Sequence, residues 1–431
     1  MLWFIIIHMH RALSFFNLLF KNIYYVFCSL FWKREEGTVV FGSWFGERFA
    51  DNPRFLFQYL HENKEKYKLN HVVWLTRNID VLSVMKEMGY ETYMMNSPEA
   101  VHFLKTSVYQ FICNGSKTFK QKYSNKISRT FYGDIEPKYS FGAIKIHLQH
   151  GTGLTKAVDN ASNEYKSKKA KHPFLYSLDE FLNRNSRLYR LLLKNYGGWG
   201  DCYMVSPSQI QKEGFMDYYS MTESRIILTG YPRNCQAVRL LDEEKTVLNE
   251  MKKYKYILLY LPTFRKNVSF HSTGFSDALA GILKRNNILW IEKTHIADNT
   301  NISEYSITEN IIKLNPAFDI NVIIPHVTML VTDYSSTAMD AMYHKKSVLY
   351  YIPDFEEYKN DVGFSSKGNI SMCGPKIYSL EELKEAIEKY IRNPESAKTN
   401  EYNEVRKIFW NKEYNDIGTI WDEIIKEIRK H

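Results

Sequence analysis

Five turns, each directly behind an apolar run, hold side chains suited to chemistry on a phosphate. In "HLQHGTGLTK" a strand-like run ends in His150, Gly151 and Thr152. A histidine at a strand end can take up a proton, and small residues let the backbone approach a ligand. "LTGYPRN" sets Gly230, Tyr231, Pro232, Arg233 and Asn234 behind another run, although Gly and Pro also suit an ordinary domain-boundary loop. In "LYLPTFR" and "LWIEKTH", Thr263, Arg265, Lys293 and His295 follow two further apolar runs, and bases converging from neighbouring strand ends make an anion pocket. "MLVTDYSSTAMDAM" places Asp333, Tyr334, Ser335 and Ser336 at the start of a helix, where backbone N–H groups and the helix dipole favour a phosphate. There Thr337 and Asp340 read as a capping box that closes the helix start, and Ser335 and Ser336 as phosphate donors. A plain helix cap at Ser336 or Thr337 is the competing reading. No carboxylate cluster has metal-ligand spacing, so no resident metal or cofactor is expected.

These turns need a scaffold that gathers strand ends. After Gly37 the chain alternates short apolar runs with helical stretches: "TVVFGSW" then "NPRFLFQYLHEN", "HVVWLT" then "DVLSVMKEMG", and so on to "RIILTG". The alternation resumes with "KYILLYLP" and runs to "SLEELKEAIEKYIRN". Strand followed by helix, repeated, predicts an α/β fold of parallel sheets covered on both faces. Two doubly wound domains, over residues 37–240 and 241–431, would put the site in the cleft beyond the strand carboxyl ends.

Two stretches break the pattern. Residues 156–200 carry Lys156, Lys166, Lys168, Lys169, Lys171, Arg184, Arg187, Arg190 and Lys194 interleaved with Phe, Leu, Tyr and Trp. That mixture suits an anionic membrane or a polyanionic chain, and equally a solvated helical hairpin with one buried face. Residues 1–36 are apolar and aromatic, and 12–32 are long enough to span a bilayer of roughly 20 residues' thickness. A helix lying in the cytoplasmic leaflet is the preferred reading, a true span the lesser one and a core helix the bland one.

Composition narrows the classes. Hydrophobic content of 44% and charged content of 24% describe a folded chain, and 431 residues exceed one ordinary core. The formal charge of +9 suits an anionic membrane or polyanionic substrate, and with no nucleic-acid-binding signature a nucleic-acid partner is not expected. Five scattered cysteines without CxxC spacing read as reduced thiols, with neither a disulfide framework nor a zinc site.

In combination, "VVFGSWFGERFADNPRFLFQYL", "QHGTGLTK", "GYPRN", "LPTFR", "EKTH", "TDYSSTAMDAM" and "YYIPDFEEY" resemble the CDP-glycerol glycerophosphotransferase family, whose members prime and polymerise teichoic acids and related capsule polymers. The resemblance implies a GT-B-like fold, with two Rossmann-like domains facing a central cleft and the nucleotide on the C-terminal one. It implies functional histidines at His150 and His295. Donor contacts would fall on Thr263, Arg265, Lys293, Asp333, Ser335 and Ser336, with Glu356 or Glu357 near the ribose. Gly151, Thr152, Arg233 and Tyr334 belong to the same motifs and join the expected substrate-binding set. The donor would be CDP-glycerol or CDP-ribitol, the acceptor a lipid-linked or polyanionic polymer, and the location the cytoplasmic face of the cell membrane, peripheral or monotopic. Whether the chain forms a homo-oligomer stays open. Three departures lie on the acceptor side: Gln149 where the family has an aromatic, Gly153 where it has Pro, and Cys235 where it has an acidic residue. A GT-B glycosyltransferase using a nucleotide sugar and a non-catalytic polyanion-binding membrane protein are the rival readings.

Overall fold

The computed structural model describes residues 17, 19–114, 117–118, 131–151, 167, 169–190, 192, 202–219, 221–235, 238–263, 277–293, 306–361, 363, 372–410 and 412–430. Among these, two seven-stranded sheets carry the chain. The first contains β1 (Glu35–Phe41), β2 (His71–Thr76), β3 (Thr92–Met94), β4 (Ser107–Ile112), β7 (Ile144–His147), β8 (Cys202–Ser206) and β9 (Ile226–Leu228), in the order β3-β2-β1-β4-β7-β8-β9. A two-stranded ribbon, β5 (Lys117–Thr118) with β6 (Phe131–Tyr132), lies outside it. The second sheet is ordered β12-β13-β11-β10-β14-β15-β16. Its strands are β10 (Tyr256–Leu261), β11 (Ile288–Glu292), β12 (Ser306–Thr308), β13 (Ile311–Lys313), β14 (Met329–Thr332), β15 (Ser347–Tyr351) and β16 (Lys376–Ile377). Within the two sheets every pairing is parallel except β12 with β13.

Parallel strands with helices on both faces have no wet side, so their sequences read as continuous apolar runs. Val39, Val40 and Phe41 in β1, Leu258 and Leu259 in β10, and Leu330 and Val331 in β14 are all fully buried. Helix α1 (Asp51–Glu62) follows β1, α2 (Ile79–Glu87) follows β2 and α3 (Pro98–Thr106) precedes β4. Local chemistry sets their starts. Asn78 accepts from the N–H groups of Asp80 and Val81, and Ser97 accepts from Ala100 ahead of a proline at the first helical turn. The helices that follow are α4 (Pro173–Asn185), α5 (Gln209–Tyr219), α6 (Asp242–Met251), α7 (Ala280–Arg285), α8 (Thr337–Tyr343), α9 (Phe355–Asp361), α10 (Leu380–Tyr390), α11 (Tyr402–Phe409) and α12 (Ile417–Arg429).

The first sheet ends at Leu228 and the second begins at Tyr256. The last helix then returns to the first sheet: Trp421 of α12 lies 5.8 Å from the Phe111 ring of β4, and Glu423 accepts from the Thr229 hydroxyl at 2.6 Å. One hydrophobic cluster therefore runs through both halves, from Phe41 and Phe111 to Met342 and Trp410.

The seam between the halves is ionic as well. The buried Arg233 guanidinium reaches Asp51 at 2.6 Å and both oxygens of Asp340 at 2.8 and 2.9 Å. Arg54 pairs with Glu244 at 2.7 Å, and the Asp51 N–H donates to Asp319 at 2.9 Å. This corrects two expectations. Arg233 is 1% exposed and its donors are committed to two buried carboxylates, so it braces the domains and does not face a substrate. Asp340 does not close a capping box with Thr337, because a buried guanidinium holds it; Ser336 occupies the cap position and makes no side-chain bond there.

No helix among the described residues is long and apolar enough to cross a membrane. Residues 1–16 lie outside the described set. Residues 19–29 form a helical stretch whose Phe20, Tyr24 and Phe27 are mostly exposed.

Candidate active site

His150 is thrown out of the first sheet by the turn behind β7. Gln149 adopts a left-handed conformation with φ +62°, costly for a residue with a Cβ. Asn52 holds the turn, donating to the carbonyls of Leu148 and Gln149 at 3.0 and 2.9 Å. The exposed His150 ring then sets Nδ1 2.9 Å from the Cys113 carbonyl at the end of β4. A carbonyl only accepts, so Nδ1 carries the proton and the lone pair of the neutral ring sits on Nε2. Trp44, behind β1, packs edge-on against the same ring with centroids 5.3 Å apart.

Asp134 ties these loops together. Its carboxylate accepts from the N–H groups of Phe45 at 2.6 Å and of Cys113 and Asn114 at 2.7 Å. Burial pushes its pKa up to about 7, against the pull of those donors. Gly42 lies so close that a Cβ there would stand 2.2 Å from the Asp134 carbonyl oxygen.

The second sheet supplies the other wall. Thr263, behind β10, donates its N–H to both Asp333 oxygens at 3.0 and 2.9 Å and its hydroxyl to one at 2.9 Å. The same carboxylate takes the Tyr334 N–H at 2.6 Å. Asp333, expected as a donor contact, is thus buried beneath the turn and shapes it. Ser335 shares a 2.8 Å hydrogen bond with Thr337, and both Ser335 and Ser336 remain partly exposed. Lys293, behind β11, donates its ammonium to the Phe318 carbonyl at 2.7 Å. Burial first, and then the Arg48 guanidinium, lower its pKa to about 7.

The two walls touch. A Cβ built on Gly151 would lie 2.7 Å from the Ser336 hydroxyl, so the turn that presents His150 abuts the serine turn of the other domain. Glu356 and Glu357 stand exposed on the first turn of α9, with Glu356 3.7 Å from Lys359. Beside them Tyr334 stacks on Tyr358 at 3.7 Å and donates to Asp354 at 3.1 Å. Thr152, Arg265 and His295 lie outside the described residues. Among the described residues no group of three or more His, Cys, Asp or Glu is placed to hold a metal ion.

Sequence reasoning missed Trp44, Asn52, Asp134 and the Cys113 carbonyl. Trp44 and Asn52 sit in the first resemblance motif, just past a strand end, the same positional signal that marked the other turns. Asp134 lies 89 residues from the Phe45 N–H it accepts, and no local pattern announces it.

Residues 24–418 match the family described as CDP-glycerol:poly(glycerophosphate) glycerophosphotransferase. The chain is 28% identical over 372 residues to the teichoic acid poly(glycerol phosphate) polymerase of Bacillus spizizenii, covering 83% of this chain and 84% of that protein. It is 24% identical over 425 residues to the teichoic acid glycerol-phosphate transferase of Staphylococcus aureus, covering 92% and 93%. The fold is similar to that of the wall teichoic acid polymerase TagF, with a TM-score of 0.63 at 19% identity over 98% of this chain and 97% of that one.

Proposed function

The chain belongs to the CDP-glycerol:poly(glycerophosphate) glycerophosphotransferase family, and on that premise we propose that it transfers glycerol phosphate from CDP-glycerol to a teichoic-acid or capsule-type acceptor, releasing CMP. The observation that carries the reading is the meeting of His150 and the Ser335–Ser336 turn across the Gly151 contact. The acceptor hydroxyl oxygen attacks the glycerol-bearing phosphorus. The bond from that phosphorus to the CMP oxygen breaks, and the hydroxyl proton passes to His150 Nε2. Phosphoryl transfer of this kind rests on positioning and charge stabilisation. Lys293, with Arg265 and His295 as the sequence motifs suggest, neutralises the pyrophosphate, and Ser335 and Ser336 donate to it. A fixed tautomer at His150 supports its role as base, since the lone pair is already on the outer nitrogen.

The proposed acceptor end is presented at a membrane. Phe20, Tyr24, Phe27, Leu30 and Phe31 on one segment, and Phe174, Leu175, Phe181 and Leu188 on another, are all more than half exposed. Asn22 bonds the Leu192 carbonyl at 2.9 Å and so joins the two segments into one surface. Lys21, Lys33, Lys171 and Arg187 stand exposed on those same segments, which suits an anionic leaflet at the cytoplasmic face.

Purified protein incubated with membrane acceptor and either CDP-glycerol, CDP-ribitol or nucleotide sugars tests the reading by mass spectrometry. Glycerol-phosphate increments with one CMP per unit are expected. Turnover of a nucleotide sugar alone would replace the reading with the glycosyltransferase one.

A further inference from the structure

The loop behind β1 carries a second cation toward the site. Arg48 is 8% exposed and its guanidinium lies over the Trp44 ring at 4.9 Å, on the indole that itself packs against His150. No hydrogen bond or ion pair is made by that guanidinium among the described residues. None of its nitrogens is both sealed from solvent and unsatisfied, so its tip keeps some contact with solvent. A guanidinium held at such depth without a hydrogen bond is costly even in the field of the Asp319 and Asp51 carboxylates, and sites that bind anions are where such a cost recurs.

A short bridge connects it to Lys293. Three residues beyond Arg48, the Asp51 N–H bonds Asp319 at 2.9 Å, and the neighbouring Phe318 carbonyl takes the Lys293 ammonium at 2.7 Å. The carboxylates nearby bond to other groups: Asp51 to Arg233, Glu244 to Arg54, and Asp319, whose charge favours the protonated forms of both Arg48 and Lys293, to the Asp51 N–H and to Asn321. Arg48 thus lies near enough to Lys293 for its guanidinium to disfavour the charged ammonium, an effect that a phosphate bound beside both would offset.

We propose that Arg48, stacked on Trp44, is a phosphate-binding residue of this site, gripping from the N-terminal domain the phosphate that Lys293 holds from the C-terminal one. The inference rests on the functional reading above. The ligand is a phosphate ester oxyanion, from either the outer phosphate of the donor or the terminal unit of the acceptor. Arg suits the task because its planar fork makes two parallel bonds to phosphate oxygens.

Arg48→Gln and Arg48→Lys are compared with the unmodified protein by calorimetry with CMP and with CDP-glycerol, and by initial rates against a glycerol-phosphate oligomer. If the donor phosphate is gripped, Arg48→Gln weakens CDP-glycerol binding by about 10- to 100-fold, the scale of one charge-assisted hydrogen-bond pair, while CMP, which lacks the outer phosphate, binds as before. If the acceptor phosphate is gripped, donor binding stays and the oligomer KM rises by the same factor. Arg48→Lys restores part of the loss in either case. A purely structural Arg48 would lower the melting temperature and leave the ratio of CDP-glycerol to CMP affinity unchanged. An unchanged ratio together with an unchanged oligomer KM overturns the proposal. Should Arg48→Gln fail to fold, Arg48→Lys decides: it keeps the charge but not the fork, so wild-type values for both quantities overturn the proposal. If the unmodified protein turns over no CDP-glycerol, the functional reading fails by itself. Arg48 is then judged with inorganic pyrophosphate, whose thermal stabilisation of the protein must shrink in Arg48→Lys.

Discussion

A single imidazole nitrogen is where the proposed chemistry concentrates. His150→Ala is expected to lower turnover by roughly two to four orders of magnitude, the size of a general-base contribution, with CDP-glycerol still bound. Near-normal turnover in a folded variant would remove the base assignment. Lys293 makes a pH prediction. Its pKa in the ligand-free fold is lowered to about 7, below the roughly 10.4 of a free lysine, so folding favours the neutral amine. The protein without ligand therefore loses stability at this group as pH falls from about 10 through 7. A phosphate favours the opposite, charged form. Donor affinity should then fall as pH rises from 7 to 9, with proton uptake on binding in that range. Lys293→Arg, which stays charged, should flatten the profile. Calorimetry in two buffers of different ionisation enthalpy measures both, and a flat wild-type profile would contradict the assignment.

Turns, more than helices or strands, decide what the site can hold, because the sheets only fix where each strand ends. Cys113 and His150 come from adjacent strands β4 and β7, and Thr263 and Asp333 from adjacent strands β10 and β14. Gly151 is the point where the two sets of turns meet. Gly151→Ala would push against a serine hydroxyl, the movable end of a side chain, so the fold should survive with at most a small loss of stability. The displaced hydroxyl should instead weaken donor binding, by about tenfold for one hydrogen bond to a charged group. Ser336→Ala is expected to give a similar loss, and the double variant little more than either. Fully additive losses would mean that Gly151 and Ser336 act separately.

Across the whole molecule the domains are locked by buried charge. Replacing Arg233 by Met leaves Asp51 and Asp340 buried without their partner, which costs about 3–5 kcal/mol in comparable cases. Urea unfolding should show that loss, and a change under 1 kcal/mol would mean that the seam relaxes freely. The membrane prediction belongs to the same scale. Removing residues 1–33, which stops short of Arg34 and β1, should weaken vesicle binding and leave the two sheets folded, while the remaining basic groups, each worth about 1 kcal/mol near an anionic surface, make the residual binding salt-sensitive. Vesicle flotation of both proteins at low and high salt reads this out. Equal flotation under every condition would exclude the N-terminal segment as an attachment.

The sequence by itself determined the alternation that builds two parallel sheets, and it marked the strand ends where His150, Thr263, Lys293 and Ser335 stand. Those features are short-range: a buried parallel strand must be apolar throughout, and a turn behind it needs small or polar residues. Tertiary structure alone decided which side chains face the cleft and which lock the seam. Arg233 and Asp340 looked like a substrate contact and a helix cap because both roles are locally plausible; packing two sheets together buried them and made each the other's partner across 107 residues. Asp134 carried no comparable signal, and Arg48 none beyond its place in the first motif, since their significance lies in what surrounds them once the chain has closed. A charge buried without a hydrogen bond, or a carboxylate that gathers N–H groups from distant loops, exists only in the folded molecule, where burial removes the water that would otherwise have satisfied it.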